Sequence, residues 1–293
     1  MLGRPASRPE VRKKVSGTLK SRVTDPEFKV PDTFLSEPVE VLGLPCAPLA
    51  MAGVIGFVDR MIAERTPGYV ITANLNYAML TRAHARLAEA NRGAAMVVAD
   101  GMPLIWASRL GRRPLPERVT GADLVPRLCA RAAEAGHRVF FLGGGDGVAA
   151  CAAERLAARF PGLQVAGVES PPFRELTEAE NLALIARVRE ARPDILFVAS
   201  SQPKGELWCH DNYRALGVPA VLQVGAAIDF AAGRVARAPR WVGRVGLEWA
   251  FRLALEPRRL GSRYARNVGF LLAEAVRGMA RFSPKPAGAR VSH

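Results

Sequence analysis

From residue 38 onward, short apolar runs alternate with alanine-rich amphipathic stretches, the pattern of buried parallel strands joined by helices. The runs at 69–73, 95–99, 138–142, 163–168, 194–199 and 219–224 predict strands. Helical spacing predicts helices at 76–92, 101–110, 121–136, 147–159, 177–191 and 204–216. Near-continuous apolar strands such as Arg138-Val-Phe-Phe-Leu142 belong to a sheet covered on both faces. The expected fold is therefore α/β, a doubly wound, Rossmann-like, mostly parallel sheet. Residues 41–58 carry no charge over about the shortest spanning length. Pro45, Pro48 and three glycines interrupt them, so the segment reads as a strand (Val39–Leu44), a loop and a first helix reaching Arg65.

The periodicity fails at both ends. Residues 1–36 mix Arg, Lys, Pro, Ser and Thr without an apolar repeat, which predicts a disordered basic arm. After Gly233 two basic helices, about 241–256 and 260–281, follow with no further strand, an arginine-rich appendage ending in a flexible tail at 282–293. Charge sharpens this division. The net charge of +14 is confined to the ends: 37–233 holds 20 basic and 20 acidic side chains, whereas 234–281 holds 11 against 3. A neutral α/β unit with carboxylates at its strand ends argues against nucleic acid as a partner. Cys46, Cys129, Cys151 and Cys209 are too dispersed for a zinc site or a disulfide framework, which fits a reducing, cytoplasmic compartment. The basic N-terminal stretch has no apolar core of the kind a secretory signal carries.

Ligands of doubly wound sheets bind at the carboxyl ends of the strands, so the turns there hold the candidate chemistry. Thr72-Ala-Asn74 follows the first strand of the main pattern, and capping of the next helix explains one of its polar side chains. Asp100 ends the next strand, where it fits both an N-cap and a general base facing the cleft. Gly143, Gly144 and Gly145 open a strand–turn–helix unit suited to phosphate, or simply a tight turn requiring positive φ. Gln202, Lys204 and Glu206 follow the strand at 194–199, and Lys204 is the only lysine in 37–233. Gly225 and Asp229 follow the last strand. There is no D-x-D, and the four histidines show no metal-ligand spacing, so no metal is expected. In the appendage, Trp241, Trp249 and Tyr264 are interleaved with arginines, which suits the interface of an anionic bilayer.

Together these turns resemble the WecG/TagA/CpsF glycosyltransferases (glycosyltransferase family 26) over about residues 38–270. The resemblance is carried by Thr72-Ala-Asn74, Asp100-Gly101, Glu117-Arg118-Val-Thr-Gly121-Ala-Asp123, Gly143–Val148, Pro203-Lys204 with Glu206, Gly225 with Asp229 and Gly233, Arg237-Ala-Pro239, and Leu247-Glu-Trp249 with Arg252-Leu253 and Glu256-Pro257. It implies a metal-independent, inverting transfer of a hexose or N-acetylhexosamine, ManNAc-type or glucose-type. The donor is a UDP-sugar and the acceptor a polyprenyl-diphosphate-linked saccharide, at the inner face of the cytoplasmic membrane. Such products feed teichoic acid linkage units, enterobacterial common antigen and exopolysaccharides. On this resemblance Asp100 is the general base, Thr72 and Asn74 lie near the donor sugar and diphosphate, and Asp229 lies near the uracil. The appendage closes over the site and touches the membrane, with Arg237, Arg244 and Arg252 offsetting diphosphate charge where a metal otherwise would.

The chain departs from the family at one position: the usual turn reads Pro-Lys/Arg-Gln-Glu, and here it is Pro203-Lys204-Gly205-Glu206. Gln202 offers an amide from the other side of that turn. A second reading, an NAD(P)-dependent Rossmann oxidoreductase, rests on Gly145, Gly147, Ala150 and the later acid Glu169. It leaves the basic appendage without a role. Oligomeric state, including a homo-oligomer, is left open.

Overall fold

The computed structural model describes residues 37–172, 174–239, 242 and 246–282. The N-terminal arm 1–36, Arg244 and the tail from 283 lie outside the described residues. The segment expected as one strand at Val39–Leu44 is instead a hairpin of β1 (Val39–Val41) and β2 (Leu44–Cys46), with Val39 opposite Cys46. Leu42 and Gly43 form its two-residue turn, both at positive φ (51° and 82°). Such a turn matches the twist of paired strands, and a β-branched run does not reveal it because the second turn residue alone is glycine. Helix α1 (Met51–Glu64) follows, ending at Arg65 as anticipated.

Six parallel strands form the sheet: β3 (Gly68–Ala73), β4 (Met96–Ala99), β5 (Arg138–Gly143), β6 (Gln164–Glu169), β7 (Ile195–Ala199) and β8 (Ala220–Gln223). Their order across the sheet is β4-β3-β8-β7-β5-β6. Side chains alternate between faces along a strand, so β3, β4, β5, β7 and β8 each feed two cores, whereas the edge strand β6 leaves Val165 and Val168 exposed. Val70, Val98, Phe141, Phe197 and Leu222 pack on one side with α1, α5 (Gly121–Ala135), α6 (Val148–Arg159) and α9 (Ala227–Ala231). Ile71, Val97, Leu142, Val198 and Val221 pack on the other with α2 (Leu75–Ala83), α3 (Ala85–Gly93), α4 (Met102–Ser108), α7 (Glu178–Ala191) and α8 (Lys204–Leu216). The expected doubly wound sheet is thus present, covered on both faces.

The single helix expected at 76–92 is broken. His84 is extended (φ −127°, ψ 107°), serving as the C-cap of α2 and the N-cap of α3. Tyr77 and Ala78 are buried in α2 and Leu87, Ala90 and Asn91 in α3, and on one uninterrupted helix Tyr77 and Asn91 would share a face but stand about 21 Å apart along the axis. The break lets the Tyr77 hydroxyl donate to Asn91 Oδ1 at 2.7 Å. In the appendage, α10 (Glu248–Leu255) occupies the later part of the expected 241–256, with Gly246 at φ 79° before it, and residues 241 and 243–245 of that expectation lie outside the described residues. Helix α11 (Pro257–Phe282) begins earlier than expected, with proline in the first helical position.

Candidate active site

Every strand-end turn singled out above except Glu206 opens on one cleft of about 1440 Å³. Its floor is the carboxyl edge of the sheet, and α10 and α11 form the facing wall through Trp249, Arg252, Arg263, Tyr264, Arg266 and Asn267. The cleft lies where β3, β8 and β7 run side by side while the chain leaves β3 in one direction and returns on the other, the switch point of the sheet.

Asp100 ends β4. Its backbone N–H donates to Ala73 O at 2.7 Å, and its Oδ2 accepts from Gly121 N, the first residue of α5, at 3.2 Å. It does not cap α4, whose N-cap is Gly101 without a side-chain bond. The carboxyl group is therefore held by a different helix terminus and lines the cleft. Residue 121 has room only for glycine, since a Cβ there would meet Val224 O at 2.7 Å, so the start of α5 packs closely against the turn after the last strand. Burial pushes the Asp100 carboxyl up to about 6, against the Gly121 N–H and the Arg118 guanidinium, which favour the anion. Glu248 and Asp123 add to the upward push.

Thr72 is buried at the end of β3, where its hydroxyl donates to Gln223 O at 3.0 Å. Asn74 caps α2, its Oδ1 accepting from Tyr77 N at 3.1 Å, and both residues also line the cleft. Asn76, two residues further, donates through Nδ2 to Gln202 Oε1 at 3.0 Å and so ties the β3 turn to the β7 turn. Gly143 and Gly144 take φ of 105° and 76°, and a Cβ on Gly143 would collide with Ala199 O at 2.1 Å. The turn thus needs glycine for the close passage of β7, and with Gly145 it also forms part of the cleft wall. Gly225, at φ 55°, donates its N–H to Gln223 Oε1, and Asp229 faces the cleft from α9. Lys204 is half-exposed at the rim, 3.9 Å from Glu175.

Glu206 lies beneath the turn instead of in the cleft. It is fully buried and neither carboxyl oxygen has a hydrogen-bond partner among the described residues. Burial pushes its carboxyl up to about 7, and the helix backbone and the nearby Gln202 side chain offset this only in part. The folded state therefore keeps a proton that the unfolded chain loses near pH 4, and its stability falls as pH rises toward and through about 7. Glu206→Gln is expected to flatten that fall between pH 5 and 8 by on the order of 2 kcal/mol, measured by denaturant melts at both pH values. Equal pH slopes in the two proteins would defeat this assignment.

Of the appendage arginines, Arg252 lines the cleft, with its guanidinium 5.4 Å from the centroid of the Phe230 ring. Arg237 does not, since it pairs with Asp123 at the start of α5. Burial works against ionisation of Asp123, but Arg237 and the Thr120 hydroxyl hold its carboxyl below the usual range. Arg244 lies outside the described residues. Arg118, which the sequence marked only as part of the resemblance and without a role, sits beside Asp100 and pairs with Glu248 of α10 at 2.8 Å. No strand end precedes it, so position along the sheet gave it no role. It is delivered by its neighbour Glu117, whose carboxylate accepts from Met51 N at the start of α1 and pins the loop. Among the described residues no cluster of three or more Cys, His, Asp or Glu is arranged to hold a metal ion, and no helix is long and apolar enough to cross a membrane.

Comparison with known proteins places this arrangement among the glycosyltransferases. A model described as the Glycosyl transferase WecG/TagA/CpsF family matches residues 39–283, and the chain belongs to that family. It is similar to the N-acetylglucosaminyldiphosphoundecaprenol N-acetyl-beta-D-mannosaminyltransferase of Bacillus spizizenii, 31% identical over 211 residues, covering 71% of this chain and 80% of that protein. Proteins of the same description are 32% identical over 165 residues in Bacillus subtilis (56% of this chain, 62% of that protein) and 25% identical over 226 residues in Staphylococcus aureus (76% and 87%). The oxidoreductase reading falls with this match. Its acid, Glu169, is bound to Arg187 at 2.6 Å and does not line the cleft.

Proposed function

We propose that this chain moves an N-acetylhexosamine or hexose unit, ManNAc-type or glucose-type, from a UDP-sugar to a polyprenyl-diphosphate-linked saccharide, with inversion and without a metal. The observation that carries the reading is Asp100, a carboxyl group raised toward neutrality on the floor of a cleft whose opposite wall supplies arginines. In this scheme Asp100 takes the proton of the acceptor hydroxyl as its oxygen attacks the anomeric carbon. The bond from that carbon to the diphosphate breaks, and the electron pair leaves with UDP. The leaving group's growing charge faces Arg118 and Arg252, and the glycine turn at Gly143–Gly145 lines the same cleft, with the Gly144 N–H committed to Ala199 O. Thr72 and Asn74 line the donor side, and Asp229 is assigned to the uracil. The names of the relatives favour a lipid-linked acceptor and an N-acetylmannosamine unit.

An outward stripe on α11 supports work at a membrane surface. Val268, Leu272 and Val276 recur every fourth residue and are each more than half exposed, with Arg258 and Arg266 also in solvent. An apolar stripe flanked by guanidinium groups suits the headgroup layer of an anionic bilayer, which gives a peripheral position on the inner face of the cytoplasmic membrane. The test is release of UDP by the purified protein from a panel of UDP-sugars, with and without a short lipid-linked acceptor and with chelator throughout. Acceptor-dependent release from one donor is expected. No release from any donor, together with no UDP binding, would overturn the proposal.

A further inference from the structure

Gly205 stands at the second position of α8, and its backbone is not in the left-handed range. A helix interior disfavours glycine, so some other constraint selects it. That constraint is room. A Cβ at 205 would lie 2.5 Å from Gln223 Nε2, 3.0 Å from Ser200 Cβ and 3.2 Å from Gln223 Cγ. Gln223 is the last residue of β8, at the centre of the sheet, and is 1% exposed. Its Nε2 donates to Ser200 O at 3.1 Å, its Oε1 accepts from Gly225 N at 3.2 Å, and its backbone oxygen accepts from the Thr72 hydroxyl at 3.0 Å. One residue therefore joins the turns after β3, β7 and β8, all three of which line the cleft.

We infer that Gln223 is a positioning residue for the donor side of the cleft, and that its carboxamide and any side chain at position 205 exclude one another. The resemblance leads one to expect glutamine at 205. In this chain the strand supplies a carboxamide to that space and the helix leaves it vacant. Gln202 is not equivalent, because its Oε1 accepts from Asn76 on the far side of the turn. Through its two side-chain bonds Gln223 sets the distance between the Gln202–Lys204 turn and the Gly225–Asp229 turn. A ligand spanning those turns reads that distance as affinity more than as turnover. The inference rests on the cleft being a UDP-sugar site, but the mutual exclusion of the two positions does not.

Two experiments separate those parts. In the first, Gly205→Ala is introduced into the wild type and into Gln223→Ala, and thermal midpoints are compared. It should lower Tm in the first background, where the new Cβ meets the amide, and lower it clearly less or raise it in the second, where only the 3.0 Å approach to Ser200 Cβ remains. An equal loss in both backgrounds overturns the exclusion. In the second, steady-state kinetics with the UDP-sugar donor are measured for Gln223→Met, which keeps the volume and removes the amide, and for the swap Gly205→Gln/Gln223→Ala. Gln223→Met should raise KM about tenfold, as expected for losing one or two net hydrogen bonds, with kcat within about threefold. The swap should return KM to within about threefold of wild type. An unchanged KM in Gln223→Met, or a swap no better than Gln223→Ala alone, overturns the positioning role. If wild-type protein uses no UDP-sugar, the proposed function fails while the Tm comparison still decides the pairing.

Discussion

Asp100→Asn is expected to lower kcat by about 10³-fold while leaving UDP affinity within about threefold, because a positioned general base contributes roughly that much to a proton-transfer step. Asparagine is close to isosteric and its carbonyl oxygen still accepts from the Gly121 N–H, so the floor of the cleft keeps its shape. What it loses is the ability to take a proton. The wild-type pH profile checks the same point independently. A base works only when ionised, and burial raises Asp100 to about 6, so kcat/KM should climb with pH up to about 6 and level off above it. Glu248 contributes to the upward push, so Glu248→Gln should shift that acid limb to lower pH. Substantial turnover in Asp100→Asn would move the base elsewhere.

The parallel sheet was readable because burial on both faces leaves long apolar runs that little else produces, and all six strands of the sheet fall within a residue or two of their expected places. Features set by a single tertiary contact were not. The break at His84 serves the Tyr77–Asn91 bond, which joins residues of two helices with no local mark of an ending. Asp100 shows the same gap within the site. Its position at a strand end fitted a cap as well as a base, and only the fold reveals that its carboxyl group turns from its own helix to the start of α5. Arg118 and Glu248 lie 130 residues apart and meet beside that carboxyl, a pairing that depends on where α10 comes to rest. Arginine-rich composition marked the appendage as a unit, but it could not separate Arg252, which reaches the cleft, from Arg237, which is drawn to Asp123.

Truncation after Gly233 should leave a folded α/β unit whose kcat/KM falls by about 10²- to 10³-fold, the scale of removing oriented positive charge from a leaving group. Folding survives because both apolar cores are built from residues before 234, with only Phe270 of the appendage packed against one of them. The ion pairs that fasten the appendage, Arg82–Glu274, Arg118–Glu248 and Arg237–Asp123, are at least partly solvated and contribute little to stability. Activity does not survive, since Arg252, Arg263, Trp249 and Tyr264 form the cleft's second wall and leave with the truncated segment. Membrane binding should be lost at the same time, which makes the truncation alone ambiguous. Leu272→Asp/Val276→Asp resolves it by changing the part of the exposed stripe that does not line the cleft. That variant should lose sedimentation with anionic liposomes yet keep turnover on a short-chain, water-soluble acceptor. Loss of turnover on the water-soluble acceptor would mean that the stripe belongs to the catalytic wall instead of the membrane contact.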